Sequence, residues 1–205
     1  MEPYETGGPL DLEALTKAGH PHFNRHAFAA AHVVADPWAD NDPWLAPAID
    51  WERTIAFREY LWDLGLGVAE AMDTAQRGMG LSWPDARELI RRALAAARAR
   101  SPHTARIACG AGTDHLEPGP DVGVEDVIRA YEEQVGFVEA EGGQVVLMAS
   151  RALARAATGP GDYVTVYERI LSQVRGPVII HWLGELFAPA LEGYWGLADH
   201  MAAMD

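Results

Sequence analysis

The run Gln144-Val-Val-Leu-Met-Ala149 is a short apolar stretch that ends at the polar residues Ser150 and Arg151. Near-continuous apolar runs of this length are typical of strands buried on both faces, as in parallel sheets. Four similar runs, each closed by polar residues and followed by a helix-like stretch, lie at residues 27–35, 67–72, 105–109 and 177–182. Strands that alternate with helices predict an α/β fold built from βαβ units.

Helix start signals support the same alternation. Asp50 is a plausible N-cap for a helix over 51–64, and Ser82 opens a second helix that runs to about residue 100. Further helices are predicted over 121–141 and 162–174, which places a crossover between successive strands.

We predict a (β/α)8 TIM-type barrel of which this chain supplies about the first five βα units. A closed barrel usually needs about 250 residues, whereas the chain has 205. An open doubly wound sheet is the competing architecture, although neither the Rossmann glycine fingerprint nor a Walker loop is present. Residues 1–26 are predicted to be an irregular lead-in, and residues 27–205 the partial barrel domain.

Composition limits the partners. A net charge of −14 disfavours nucleic acid, because the chain repels phosphate backbones. No apolar run is long enough to cross a bilayer, and the first residues do not resemble a secretory signal. The single cysteine, Cys109, fits a reducing compartment. We therefore expect a cytoplasmic protein with a small-molecule substrate, no nucleic-acid or membrane partner, and a homo-oligomer as an open alternative.

The carboxyl ends of parallel strands carry the chemistry in such folds, so the polar residues that close each run are the candidate site. For the first run these are His32, near its end, and Asp36, which follows it. His32 could equally pack inside the barrel, and Asp36 could simply shape a loop. After the second run they are Asp73, Thr74, Gln76 and Arg77. Arg77 could clamp a carboxylate or a phosphate in bidentate geometry, or could form a structural pair with an aspartate.

Three further strand ends complete the candidate set. The third run is followed by Gly112, Thr113 and Asp114, where glycines would let a ligand approach the backbone. The fourth offers Ser150 and Arg151, the latter of which could instead begin the next helix. The fifth ends at His181, which could point into the barrel or pack under a helix. Cys109 is predicted to be a buried apolar residue, not a nucleophile.

Histidines and acids could in principle assemble a metal site, but no spaced ligand motif such as His-Glu-x-x-His occurs. We therefore predict no metal ligands and no cofactor.

Five strand-end strings, taken in order, resemble an uncharacterised bacterial family that is described as dihydrodipicolinate-synthase-like and was long named as a domain of unknown function. The strings are Ala30-Ala-His-Val-Val-Ala-Asp36, Ala71-Met-Asp-Thr-Ala-Gln-Arg-Gly-Met-Gly80, Arg106-Ile-Ala-Cys-Gly-Ala-Gly-Thr-Asp114, Leu147-Met-Ala-Ser-Arg151 and His181-Trp-Leu-Gly184. The resemblance covers about residues 27–205.

This resemblance implies a link to the dihydrodipicolinate synthase and N-acetylneuraminate lyase superfamily. That superfamily has an eight-stranded barrel and class I aldolase chemistry, in which a strand-six lysine forms a Schiff base with a 2-keto acid. Thr74 matches one member of its carboxylate-binding hydroxyl pair, and residues 110–114 resemble its glycine-rich turn. Residues 148–150 stand where its proton-relay tyrosine falls and contain no tyrosine. The lysine is expected beyond residue 205, so we expect a truncated chain.

The leading hypothesis is therefore an aldolase-like carbon–carbon lyase that acts on a small keto-acid or sugar-derived substrate. Thr74, Arg77 and Thr113 would position the substrate, and Asp73 or His181 would assist proton transfer. A metal-dependent sugar isomerase or epimerase on the same barrel is one alternative. An inactive partial barrel is the other.

Overall fold

The computed structural model describes residues 25–43, 45–72, 77, 80–100 and 104–204. Most of the predicted lead-in, residues 1–24, lies outside the described residues. Five strands form the sheet: β1 (Phe28–Ala30), β2 (Gly67–Glu70), β3 (Ile107–Ala111), β4 (Gln144–Met148) and β5 (Ile179–His181). Each overlaps one of the five apolar runs, so the predicted positions of the strands are confirmed.

The strands lie in the order β1-β2-β3-β4-β5, and every neighbouring pair is parallel. The sheet is a curled half-barrel. A doubly wound sheet reverses its strand order at a switch point, and no reversal occurs between β1 and β5. The open doubly wound alternative is therefore wrong, and all five carboxyl ends lie at one edge of the half-barrel.

Six helices are described: α1 (Trp51–Asp63), α2 (Trp83–Arg98), α3 (Val124–Ala140), α4 (Arg151–Ala156), α5 (Pro160–Leu171) and α6 (His200–Met204). The predicted N-caps are confirmed, because Asp50 Oδ1 accepts from the Arg53 amide at 3.0 Å and Ser82 Oγ accepts from the Asp85 amide at 3.3 Å. No helix within these ranges is both long and apolar enough to cross a membrane.

The first strand is much shorter than the predicted run over 27–35, because a buried arginine takes the carbonyl groups that would continue it. Arg58 is fully buried and donates to the backbone oxygens of Ala31 at 3.1 Å and His32 at 2.7 Å. It also donates to Thr54 O at 3.1 Å and to both carboxylate oxygens of Glu70, at 2.9 and 2.8 Å. All five of its N–H donors are used, so α1 is tied to the ends of β1 and β2.

The two faces of the sheet differ because side chains alternate along a strand. Val145 and Leu147 of β4 join the main apolar cluster beneath the helices, whereas Val146 and Met148 lie in a smaller cluster on the inward face. A Cβ atom on Gly110, near the carboxyl end of β3, would stand 3.0 Å from Met148 Sδ. Glycine therefore lets the Met148 side chain lie across the carboxyl end of β3.

Candidate functional site

The ends of β3 and β4 enclose a cavity of about 160 Å³. Its walls come from the segments that leave these two strands and from the loop that follows β2. The lining residues are Arg77, Gly112, Thr113, Asp114, Leu116, Pro118, Met148, Ala149, Arg151 and Ala152. Five of the residues singled out from the sequence line it, namely Arg77, Gly112, Thr113, Asp114 and Arg151.

The Arg77 side chain is fully buried and lies at the centre of a polar network. Its Nη1 donates to Asp114 Oδ1 at 3.0 Å and to the side-chain oxygen of Gln134, and its Nη2 donates to the Gly110 carbonyl at 2.8 Å. The guanidinium also lies over the Trp83 ring, 4.9 Å from its centroid. Arg77 thus joins the loop after β2 to the end of β3, and its aspartate partner is Asp114.

A pair of hydroxyl groups connects the two strand ends. Thr113 Oγ1 and Ser150 Oγ are 2.6 Å apart, and both residues are buried. Ser150 Oγ also accepts from the Leu153 amide at 2.9 Å, so Ser150 is the N-cap of α4. Arg151 consequently begins α4, as one of its two predicted interpretations required, and it still lines the cavity.

Buried tyrosines hold the backbone just beyond β4. Tyr131 Oη donates to the Met148 carbonyl at 2.6 Å, and the Ser150 amide donates to Tyr194 Oη at 3.0 Å. The Tyr167 and Tyr194 hydroxyl oxygens are 3.1 Å apart. Burial raises the pKa of all three phenols, so they act as neutral donors and acceptors. These tyrosines fix the backbone that forms one wall of the cavity.

The remaining predicted site residues either do not line the cavity or lie outside the described residues. His32 and Asp36 are exposed, and Asp36 Oδ1 accepts from the Trp38 amide at 2.9 Å, which shapes the loop. His181 is half-buried at the end of β5 and lies in register with Met148, but it does not line the cavity. Asp73, Thr74 and Gln76 lie outside the described residues.

Glu70 of β2 and Cys109 of β3 are titratable residues that are buried in the fold and do not line the cavity. Glu70 is fully buried and paired with Arg58 at 2.8 Å. Cys109 is fully buried, and desolvation raises the pKa of its thiol far above the ordinary value. A thiol that stays protonated is a poor nucleophile, which agrees with the predicted packing role of Cys109.

Within the described ranges, no group of three or more histidine, cysteine, aspartate or glutamate side chains is arranged to hold a metal ion. The metal-dependent isomerase or epimerase alternative stays a prediction.

Sequence reasoning missed Gln134, Trp83 and the tyrosines as contributors to the site. Gln134 is fully buried on α3, and the periodic pattern of that helix marks it as inward-facing. A buried glutamine needs hydrogen-bond partners for its amide. The inward-facing position of Gln134 could therefore have indicated that it bonds to other polar groups. Tyr194 gave no such signal, because it lies 44 residues from Ser150 in an irregular segment.

Comparison with known proteins adds a family but no activity. The model of one family, described as "Protein of unknown function (DUF993)", matches residues 5–205. No curated protein matches the chain. The match agrees with the expected resemblance to a domain of unknown function, whereas the link to dihydrodipicolinate synthase stays a prediction.

Proposed function

Since the chain belongs to the DUF993 family, we propose that this member is an aldolase-like carbon–carbon lyase acting on a small keto acid or sugar-derived acid. The observation that carries the proposal is the cavity between the ends of β3 and β4, where a hydroxyl, a carboxylate and two guanidinium groups converge. The proposal also includes the complete (β/α)8 barrel that the resemblance implies.

The size of the cavity favours a small substrate. An apolar cavity of roughly 150 Å³ in another protein accommodates a benzene molecule, and this one measures about 160 Å³. Pyruvate, the smallest 2-keto acid with a methyl group, has the same number of heavy atoms as benzene. Larger substrates would have to extend out of the cavity.

The charge of the lining favours an acid. The chain carries a net charge of −14, yet the described lining holds Arg77 and Arg151 against the single carboxylate of Asp114. The described lining therefore holds two guanidinium groups and one carboxylate, in a molecule that is acidic as a whole. Arginine binds carboxylates in bidentate geometry, and Arg151 lines the cavity at the start of α4, so we assign the substrate carboxylate to Arg151.

The other groups then take complementary roles. Thr113 donates or accepts a hydrogen bond at a substrate oxygen, and Asp114 Oδ2, which has no hydrogen-bond partner among the described residues, accepts from a substrate hydroxyl. Asp73 and Thr74, which follow β2, keep the roles in proton transfer and carboxylate binding predicted above. His181 ends β5 outside the cavity lining, so its predicted role in proton transfer requires a substrate that extends out of the cavity toward β5.

Class I aldolase chemistry also needs a lysine amine. Lys17 is the one lysine in these 205 residues. The proposal therefore assigns the Schiff base either to Lys17 or to a lysine outside this stretch of chain.

Borohydride trapping tests the reaction class. The full-length protein is incubated with pyruvate and sodium borohydride, and the adduct is located by peptide mass mapping. We expect one modified lysine, because borohydride reduces a Schiff base to a stable secondary amine. The absence of an adduct with pyruvate and with longer keto acids would contradict the lyase proposal.

A Thr113→Val variant tests the site. Valine has nearly the same shape as threonine but lacks the hydroxyl, and we expect roughly tenfold weaker binding of the trapped keto acid because a buried hydrogen bond is lost. Thr165→Val, on the outer surface of α5, is the matched control and should bind normally. Equal binding by both variants would show that the Thr113 hydroxyl does not contact the bound keto acid.

A further inference from the structure

Gln134 is fully buried on α3 and uses the whole hydrogen-bonding capacity of its amide. Its Oε1 accepts from Arg77 Nη1 and, at 2.7 Å, from the Gly112 amide. Its Nε2 lies 2.9 Å from Asp114 Oδ1 and 2.8 Å from His115 Nδ1. One side chain therefore contacts three residues that line the cavity and a histidine beside them.

These partners determine which end of the amide faces which group. A guanidinium and a backbone N–H can only donate, so the atom that faces Arg77 and Gly112 must be the oxygen. The NH₂ group must then face Asp114 and His115, and it donates to both. His115 Nδ1 consequently accepts, which places the proton of the neutral imidazole on Nε2.

The other ring nitrogen of His115, Nε2, faces a carboxylate, which is compatible with a proton on Nε2. His115 Nε2 lies 3.3 Å from Glu133 Oε2, within ion-pair distance of that carboxylate. The ring also stacks on Trp83, with centroids 6.1 Å apart, and Trp83 Nε1 donates to Glu133 Oε1 at 2.8 Å. The orientation of the ring is thus held from three directions.

We propose that Gln134 is a positioning residue for the cavity, one that fixes the Asp114 carboxylate and the tautomer of His115 without touching the substrate. Gln134 and Arg77 both bond to Asp114 Oδ1, which leaves the lone pairs of Oδ2 for a ligand hydroxyl. The ligand that this arrangement selects is an acid that carries a hydroxyl group. This last point rests on the proposed function, whereas the tautomer does not.

The tautomer is measured directly by long-range ¹H–¹⁵N correlation spectra of the histidine rings, at a pH where His115 is neutral. In the wild-type protein we expect His115 as the Nε2–H form. Gln134→Glu keeps two acceptor oxygens for Arg77 and Gly112 but cannot donate, so His115 should change to the Nδ1–H form and donate to the introduced carboxylate. An Nδ1–H form in the wild type would overturn the proposal even if the variant failed to fold.

Ligand binding provides the second readout. We expect Gln134→Glu to weaken binding of a hydroxylated keto acid by roughly tenfold or more, and binding of pyruvate by less, since pyruvate has no hydroxyl for Asp114. Gln173→Glu, at an exposed position, is the matched control and should bind both acids normally. Equal weakening for the two acids would show that Gln134 does not help the cavity to select acids that carry a hydroxyl group. If the wild type binds neither acid, the proposed function fails, and the ring spectra still decide the role of Gln134.

Discussion

Gly110 and Gly112 lie at the carboxyl end of β3, and a methyl group at each would meet a different obstacle. On Gly110 it would stand 2.7 Å from the backbone oxygen of Ala71, which cannot move without shifting the end of β2. On Gly112 it would stand 3.0 Å from Met148 Cε, the flexible end of a side chain. Substitution by alanine should therefore lower the free energy of unfolding by different amounts at the two positions.

We predict that Gly110→Ala lowers the free energy of unfolding by about 1–3 kcal/mol, as overpacking does in a close-packed interior, and that Gly112→Ala lowers it by less than about 1 kcal/mol. Urea unfolding followed by circular dichroism measures both. The account of Met148 lying across β3 would be contradicted if Gly112→Ala proved the more damaging change.

Arg58 and Glu70 form a buried ion pair that joins α1 to β2. Both side chains are fully buried, and Glu70 Oε1 also accepts from the Ala71 amide at 3.0 Å. We predict that Arg58→Met lowers the free energy of unfolding by about 3–5 kcal/mol, because it leaves a buried carboxylate unpaired. Urea titration provides the measurement.

Two further variants test the cause of that loss. Arg58→Met combined with Glu70→Met should recover part of the stability, because neither charge is then left alone. Arg129→Met, in an exposed pair with Asp126, should change stability by less than about 1 kcal/mol. A double variant that is less stable than Arg58→Met alone would show that the burial of the charge is not the cause.

At the scale of elements, the tyrosines join α3, α5 and the turn Tyr194–Gly196 to the end of β4. Burial raises the pKa of Tyr163 from 10.0 to about 12, and raises the pKa values of Tyr131 and Tyr167 well above 10.0. The folded state therefore holds phenol protons that the unfolded chain releases near its ordinary pKa.

We predict that stability is constant with respect to these groups below about pH 10 and falls as pH rises from about 10 to 12, because over this range the folded state binds more protons than the unfolded state. Urea midpoints measured across this range, together with tyrosinate absorbance, test the prediction. Tyr163→Phe should reduce the slope. Stability that rose with pH between 10 and 12 would contradict the burial of these phenols.

Helices and strands could be predicted where a single local feature of the sequence, such as a capping residue or an apolar run, was sufficient. Asp50 and Ser82 cap helices in the way their sequence context indicated, and the apolar runs correspond to strands. Arg151 was one candidate helix start, but the extent of α4 was not predicted, because six residues carry too little periodicity to reveal a helix. Helix α5 begins at Pro160, two residues before the predicted start, and Asp162 Oδ2 accepts from the Thr158 amide at 2.7 Å just ahead of it.

At the scale of the whole molecule, parallel strands in consecutive order bring their carboxyl ends to one edge. This rule alone is sufficient to predict that Thr113, Asp114, Ser150 and Arg151 lie together. It could not place Gln134, which lies 22 residues from Gly112, because that approach depends on how α3 packs against β3. The position of the strand ends was thus predictable, whereas the approach of Gln134 to the end of β3 was not.

The most direct test of the account is a titration of the ¹⁵N-labelled full-length protein with pyruvate and with a hydroxylated keto acid, followed by backbone amide spectra. The account predicts saturable shifts that are largest at Gly112, Thr113, Asp114 and Arg151, around the cavity. Shifts confined to the opposite end of the sheet, at Gly142 and Gln144, or no shifts with either acid, would contradict it.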